Sequence, residues 1–224
     1  MKQPEIKTAL IDALKVGMDS SLEAQGYSRS PKGLVYSQII DGARCQFAVE
    51  FASNPSYAPG CLAHLTPALR IANQSISERA LQLVEDPYLL ANAPEVIQNR
   101  RLTMVVEPQL PEWYVAEVEQ LPSAVDQILE VFFGHGLPFL RDYSTSSGII
   151  RQHEAGDTRA LRQQHYFVYV IAAYLLEGRP EAALALLHER FTTPGIKRRF
   201  QRLWTNMNAE QDGGGQPATR PESK

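Results

Sequence analysis

Gly33-Leu-Val-Tyr-Ser-Gln-Ile-Ile-Asp-Gly-Ala-Arg-Cys-Gln-Phe-Ala-Val-Glu-Phe-Ala-Ser53 decides the fold. Asp41-Gly42 sits between two runs rich in β-formers, and this dipeptide supplies the positive φ angles of a type I′ turn. Residues 34–40 and 43–52 are therefore expected to pair as a hairpin. On the second run Cys45, Phe47, Val49 and Phe51 alternate with Arg44, Gln46, Ala48 and Glu50. One face is then core and the other at least partly wet.

Before the hairpin, Ile6, Leu10, Leu14, Met18 and Leu22 recur every four residues, which predicts a helix over 4–25 with one apolar face, ended by Gly26. Ser30-Pro31-Lys32 makes a turn into the sheet. After it, the turn-rich stretch Asn54–Gly60 leads to a third apolar run, 61–71, which Pro67 interrupts and so marks as an edge or bulged strand. A short helix with Ile76, Ala80, Leu83 and Val84 on one face follows from about Ser75, and Pro87 and Pro94 keep 86–99 irregular. Residues 101–107 and 113–119 read as two further strands, the second equally able to open a helix. Pro122 starts a helix with Val125, Ile128, Leu129, Phe132 and Phe133 at core spacing, closed by Gly134.

The remainder reads as helix alone. Ser144–Ser147 can cap a helix through Ile149, Ile150 and His153, and Thr158–Glu177 and Glu181–Phe191 form a hairpin across Gly178-Arg179-Pro180. The pair is of the tetratricopeptide kind but lacks that architecture's repetition. Together these elements predict an α+β fold: an antiparallel sheet of four or five strands packed by the N-terminal helix, with a helical C-terminal third. The expected division is an α+β core over 1–140, a helical subdomain over 141–208 on the same core, and a disordered tail over 209–224, where Gly213-Gly-Gly215 and the prolines offer little to bury.

Gly26-Tyr27 leading into Leu34-Val35-Tyr36, the run Pro59-Gly60-Cys61-Leu62, Trp113, and Gly136-Leu-Pro-Phe-Leu140 with its following serines resemble a bacterial family of uncharacterised, domain-of-unknown-function proteins. The likeness covers roughly residues 5–190. These motifs are structural punctuation, so the resemblance implies the order helix, antiparallel strands, helices, and transfers no catalytic residue. Families of this general appearance include toxin-neutralising proteins, which is an argument by analogy.

Composition narrows the function classes. With 22 basic and 25 acidic residues the formal charge is -3, so there is no global electrostatic reason to bind nucleic acid. No stretch approaches the roughly 20 apolar residues of a membrane-spanning helix. Asp12 and Lys15 interrupt the N-terminal region before a signal-like apolar run develops, and the expected location is cytoplasmic. Cys45 and Cys61 lack CxxC spacing, and although they could meet across adjacent strands, burial as small apolar groups is the expected role.

No chemistry is assembled by spacing. His64, His135, His153, His165 and His188 show no HExxH or His-x-His pattern, and no metal or cofactor is expected. Ser144-Thr-Ser-Ser147 lacks the GxSxG elbow and is explained by capping, while Gly134-His-Gly136 is too short for a dinucleotide loop. Two charged segments stand out. Lys197, Arg198, Arg199 and Arg202 cluster beside an apolar face of Ile196, Phe200, Leu203 and Met207, with Trp204 at the boundary. Glu107, Glu112, Glu117 and Glu119 form an acidic run. The expectation is a non-catalytic protein-binding scaffold, a toxin-neutralising or adaptor protein, with Lys197, Arg198, Arg199, Arg202, Trp204, Glu112, Glu117 and Glu119 as partner contacts. Their opposite charges also allow a homodimer. The alternatives are a small hydrolase or metal-assisted enzyme built on polar groups around His135, Asp142, His153 and Glu154, and a nucleic-acid or membrane-surface contact through 196–207, read as one basic helix.

Overall fold

Asp41 and Gly42 take φ angles of 49° and 81°, the left-handed pair a type I′ turn needs, and β2 (Val35–Ile40) folds back on β3 (Ala43–Ser53) with Ile40 opposite Ala43. The structure is a computed structural model describing residues 2–31, 33–90, 95–106, 110 and 112–213, with side chains described through residue 210. Lys32 of the expected turn, Glu107 of the acidic run and the tail beyond 213 lie outside the described residues. The chain groups into two compact units, one of residues up to Asn73 with Val96–Leu161, the other of Gln74–Glu95 with the chain from Arg162 onward.

The first unit is an antiparallel sheet covered on one face by helices. Its order is β1 (Ser28–Arg29), β2, β3, β4 (Ala63–Ala72) and β5 (Val96–Arg101), with β6 (Trp113–Val115) also pairing β4. Four strands carry the sheet, and β1 and β6 are short additions. Cys45, Phe47 and Val49 face the core as the alternation requires, and opposite them on β4 stand Ile71, Leu69 and Pro67. β4 is internal, bordered on both sides, and not an edge strand. Pro67 is tolerated there for a geometric reason: Val49 spends its N–H on Leu34, toward β2, so the facing Val49/Pro67 pair is not hydrogen-bonded. The proline nitrogen points instead into the gap between β6, which pairs through Leu65, and β5, which pairs from Ala68. The ladder with β5 shifts register between Ile71 and Ala72.

Several boundaries differ from the sequence reading. The N-terminal helix is two helices, α1 (Gln3–Gly17) and α2 (Asp19–Glu23), broken at Met18. Gly17 sits so close to the helix packed on α1 that a Cβ there would meet Val125 Cγ1 at 2.7 Å. Ile6, Leu10, Leu14, Met18 and Leu22 are all fully buried, each contributing about 1.5–3 kcal/mol of burial. Asp19 ties α2 to the sheet, accepting from Tyr36 Oη at 2.8 Å and from Arg29 Nε at 3.0 Å. Burial first, then that bond to Asp19, pushes the Tyr36 phenol well above its usual range.

The stretch 86–99 is not irregular throughout, because β5 begins at Val96, and the strand expected at 101–107 is replaced by a 3-10 turn, Leu102–Val105. The strand at 113–119 stops at Val115. Gly134 does not close the helix α4 (Leu121–Val131). The chain continues through a π-turn, Phe132–Gly136, into α5 (Leu137–Asp142). Gly136 is needed for close approach, since a Cβ would lie 2.9 Å from both Leu102 Cδ1 and Phe132 Cδ2. α6 (Ser146–Glu154) is capped by Thr145, whose hydroxyl accepts from Gly148 N–H at 3.0 Å.

The second unit is helical: α3 (Gln74–Val84), α7 (Gln164–Leu176), α8 (Pro180–Arg190), α9 (Pro194–Arg199) and α10 (Gln201–Gly213). α7 starts later than the expected 158 and is buried all round from Tyr166 to Tyr174, a helix enclosed by its neighbours α3 and α8. Tyr169 Oη donates to Leu90 O at 3.0 Å. Glu85, at φ 57°, ends α3, and Asn206 Nδ2 donates to the terminal carbonyls of Gln82 and Leu83 at 3.2 and 3.0 Å.

Candidate functional site

In the first unit, the face of the sheet that α1 and α4 do not cover carries a connected polar group around His64. Register places His64 opposite Ala52 on β3 and opposite Tyr114 on β6, whose rings stack with centroids 4.5 Å apart. The imidazole is 5% exposed. Its Nδ1 lies 2.8 Å from Tyr57 Oη, on the Asn54–Gly60 loop, and its Nε2 lies 3.1 Å from Glu112 Oε2. The second contact is close but poorly directed, an electrostatic pairing more than an aligned hydrogen bond. Glu112 also accepts from Tyr114 Oη at 3.0 Å and from Arg101 Nη1 at 3.4 Å. The bond donated to Glu112 pushes the Tyr114 phenol up.

These contacts favour one proton arrangement. A carboxylate beside Nε2 favours the tautomer with its proton there, which leaves Nδ1 as an acceptor and Tyr57 as the donor to it. Tyr57 is 64% exposed. The chain Glu112, His64, Tyr57 therefore runs through a buried imidazole and ends on an exposed residue whose hydroxyl sits in a part-buried contact with the ring.

On the helix-covered side of the sheet, a cleft of about 380 Å³ opens between β6 and the π-turn. Val106, Leu110, Trp113 and Val131 give it apolar walls, and Glu130 and His135 stand at its rim. Its size and lining suit an apolar group with few polar contacts, and π-turns recur at such sites.

The chain matches no family model, no curated protein and no solved structure. Its site has to be argued from its own geometry.

The expected site residues are dispersed among different roles. Glu112 belongs to the His64 group, while Glu117 and Glu119 are exposed at a 3-10 turn, where Gln120 Oε1 accepts from the N–H groups of Ala116 and Glu117. The basic segment is not one helix. It breaks at Phe200 (φ -106°), between α9 and α10, so that Phe200, Leu203 and Met207 are buried while Ile196 is only half-buried. Lys197, Arg198, Arg199 and Arg202 are all exposed. Lys197 Nζ sits 4.7 Å from the Trp204 ring centroid, and Trp204 Nε1 donates to Phe191 O at 3.3 Å, so Trp204 props the segment against the preceding helix end.

The residues of the hydrolase alternative have other neighbours. His135 is exposed at the cleft rim, and Asp142 accepts from Arg159 Nη2 at 2.7 Å, with Arg151 Nη2 3.9 Å away. Among the described residues no three His, Cys, Asp or Glu side chains are grouped as a metal site. Cys45 faces Ile71 at one end of the β3–β4 ladder while Cys61 precedes its other end, so the register keeps the two thiols apart. Burial pushes the Cys45 thiol up to about 12. The His64 group escaped the sequence reading because its members are far apart in the chain. The alternation that buries Leu65 and turns His64 to the other face was its only local signal.

Proposed function

We propose that this protein is a protein-binding scaffold that captures an acidic partner through the basic segment of α9 and α10. The observation that carries the reading is the exposure of Lys197, Arg198, Arg199 and Arg202 beside the buried anchors Phe200, Leu203 and Met207. Among the described residues only one of these four cations, Arg202, has a carboxylate partner, Glu85 at 3.3 Å, and that pair is exposed. Three cations are thus left for complementary charge from outside. By analogy with the resembling family, the partner is another protein of a bacterial cytoplasm, and the role is neutralisation or adaptation. No helix among the described residues is long and apolar enough to cross a membrane.

The test is capture from the native cell with the chain carrying Arg198→Glu, Arg199→Glu and Arg202→Glu, beside a control carrying Glu117→Lys and Glu119→Lys. The basic-segment variant loses a stoichiometric partner and its salt dependence, with folding intact, and the control keeps both. Equal capture by wild type and the basic-segment variant overturns the reading. A partner that is a second copy of the chain appears as a concentration-dependent mass in sedimentation, and a nucleic-acid partner as nuclease-sensitive capture.

A second reading rests on the cleft beside Trp113. Its apolar walls suit a partner side chain or a small apolar ligand, and a bound ligand changes Trp113 fluorescence in a Trp204→Phe background.

A further inference from the structure

The Tyr57 hydroxyl has a setting that no other described tyrosine shares. Its residue is exposed, the hydroxyl faces a ring nitrogen left unprotonated by the preferred tautomer, and the far side of that ring faces a carboxylate. Tyr88 is more exposed, at 82% against 64% for Tyr57, yet among the described residues its hydroxyl has no histidine hydrogen-bond partner. Tyr114 is also partly exposed, but its hydroxyl is committed to Glu112. A nucleophilic side chain, a base in contact with it and a group orienting that base are the three parts of an activated nucleophile.

We propose that Tyr57 is a base-assisted nucleophile that takes an acyl group from an activated ester, with His64 as general base and Glu112 as the positioning residue. Tyr57 Oη forms a bond to the ester carbonyl carbon as its proton passes to His64 Nδ1. The imidazolium so formed faces Glu112, which stabilises it at 3.1 Å. The tetrahedral intermediate collapses, the ester C–O bond breaks, and the leaving oxygen departs with the proton from His64 Nδ1. The products are O-acyl Tyr57, the free alcohol or phenol, and neutral His64. Nothing is oxidised or reduced. The loop position of Tyr57, between Pro55 and Pro59, leaves the residue exposed, while the stacking of Tyr114 holds the ring it depends on. This proposal goes beyond the capture reading and does not rest on it.

The probe is p-nitrophenyl acetate, with nitrophenol release followed in solution and acetyl groups located by peptide mass spectrometry. In wild type at neutral pH Tyr57 is acetylated about 100-fold faster than Tyr88, the size of effect general-base assistance supplies. His64→Gln brings Tyr57 down to the rate of Tyr88, and Tyr57→Phe removes the fast site. Because His64 is buried, Glu112→Gln is the second variant: the imidazole and phenol remain, the Tyr57:Tyr88 ratio falls about tenfold, and the pH profile of Tyr57 acetylation shifts while that of Tyr88 does not. Equal rates at Tyr57 and Tyr88 in wild type overturn the proposal. A Tyr57:Tyr88 ratio unchanged in His64→Gln does the same, and an unchanged ratio and profile in Glu112→Gln removes Glu112 from it.

Discussion

Two polar groups in the first unit are built from similar parts and differ in how they end. In one, Arg159 donates from Nε to Oδ1 and Oδ2 of Asp157 at 3.1 and 2.9 Å, from Nη2 to Asp157 Oδ2 at 2.7 Å, and from Nη2 to Asp142 at 2.7 Å. Its guanidinium lies about 6 Å from the ring centroids of Phe139 and Tyr143. Every charge there is met by another charge. In the other, Glu112 and His64 lead to Tyr57, an exposed residue with no counter-charge at its end of the chain. The first arrangement is closed and holds the end of α5 to the loop that follows α6. The second keeps one end open, and that difference separates a structural network from a site.

The scale for both is set by the apolar core beneath them. Phe47 is fully buried and stacks on Phe132 with centroids 4.3 Å apart. Phe47→Ala costs about 3–5 kcal/mol in denaturant unfolding, the range for removing a buried ring, and a cost below about 1 kcal/mol means the ring is not core. Arg159→Ala strips Asp142 and Asp157 of their cation and costs about 2 kcal/mol by the same measurement, less than a fully buried pair because the side chain is 24% exposed. A null effect places the closed network among ordinary surface ion pairs.

Acid tests the closed group in another way. Burial alone raises the Asp157 carboxyl, but hydrogen bonds from the side chain and backbone of Arg159, with its charge, outweigh burial and hold the group below the usual carboxylate range. A carboxyl depressed on folding contributes stability that is present above its unfolded value, about pH 4, and is lost as pH falls through the lower folded value. Stability measured against pH should therefore drop below about pH 4 in wild type and drop less in Asp157→Asn. An identical acid limb contradicts the assignment. The smallest effect belongs to the open group: Tyr57→Phe changes stability by about 1 kcal/mol or less, since water replaces the hydroxyl of an exposed residue at His64. A larger loss makes Tyr57 a structural residue.

The hairpin was legible because turn chemistry and alternation agree over one short stretch, Asp41-Gly42 between two β-rich runs. β5 was not, because Val96-Ile-Gln-Asn-Arg-Arg101 has no apolar alternation and becomes a strand only by pairing with β4. Pro67 argued for an edge or bulged strand: β4 is not an edge, its ladder with β5 does shift register between Ile71 and Ala72, and a gap between two partner strands takes the proline itself. The basic segment was read as one helix and is two, since the break at Phe200 comes from packing its ring on Phe191 at 5.0 Å, a contact no periodicity encodes. The His64 group was missed for a related reason: Tyr57, His64 and Glu112 meet only when β4 has taken β6 as a partner.

The proton on His64 is where the account is most exposed to test. Nitrogen NMR of the imidazole at neutral pH, with Tyr57→Phe as reference, reports which ring nitrogen is protonated. The account requires the proton on Nε2, toward Glu112, with Nδ1 accepting from Tyr57 and its shift altered when the hydroxyl is removed. A proton found on Nδ1, with Tyr57 as acceptor, makes His64 a hydrogen-bond donor that cannot act as base and contradicts the open site.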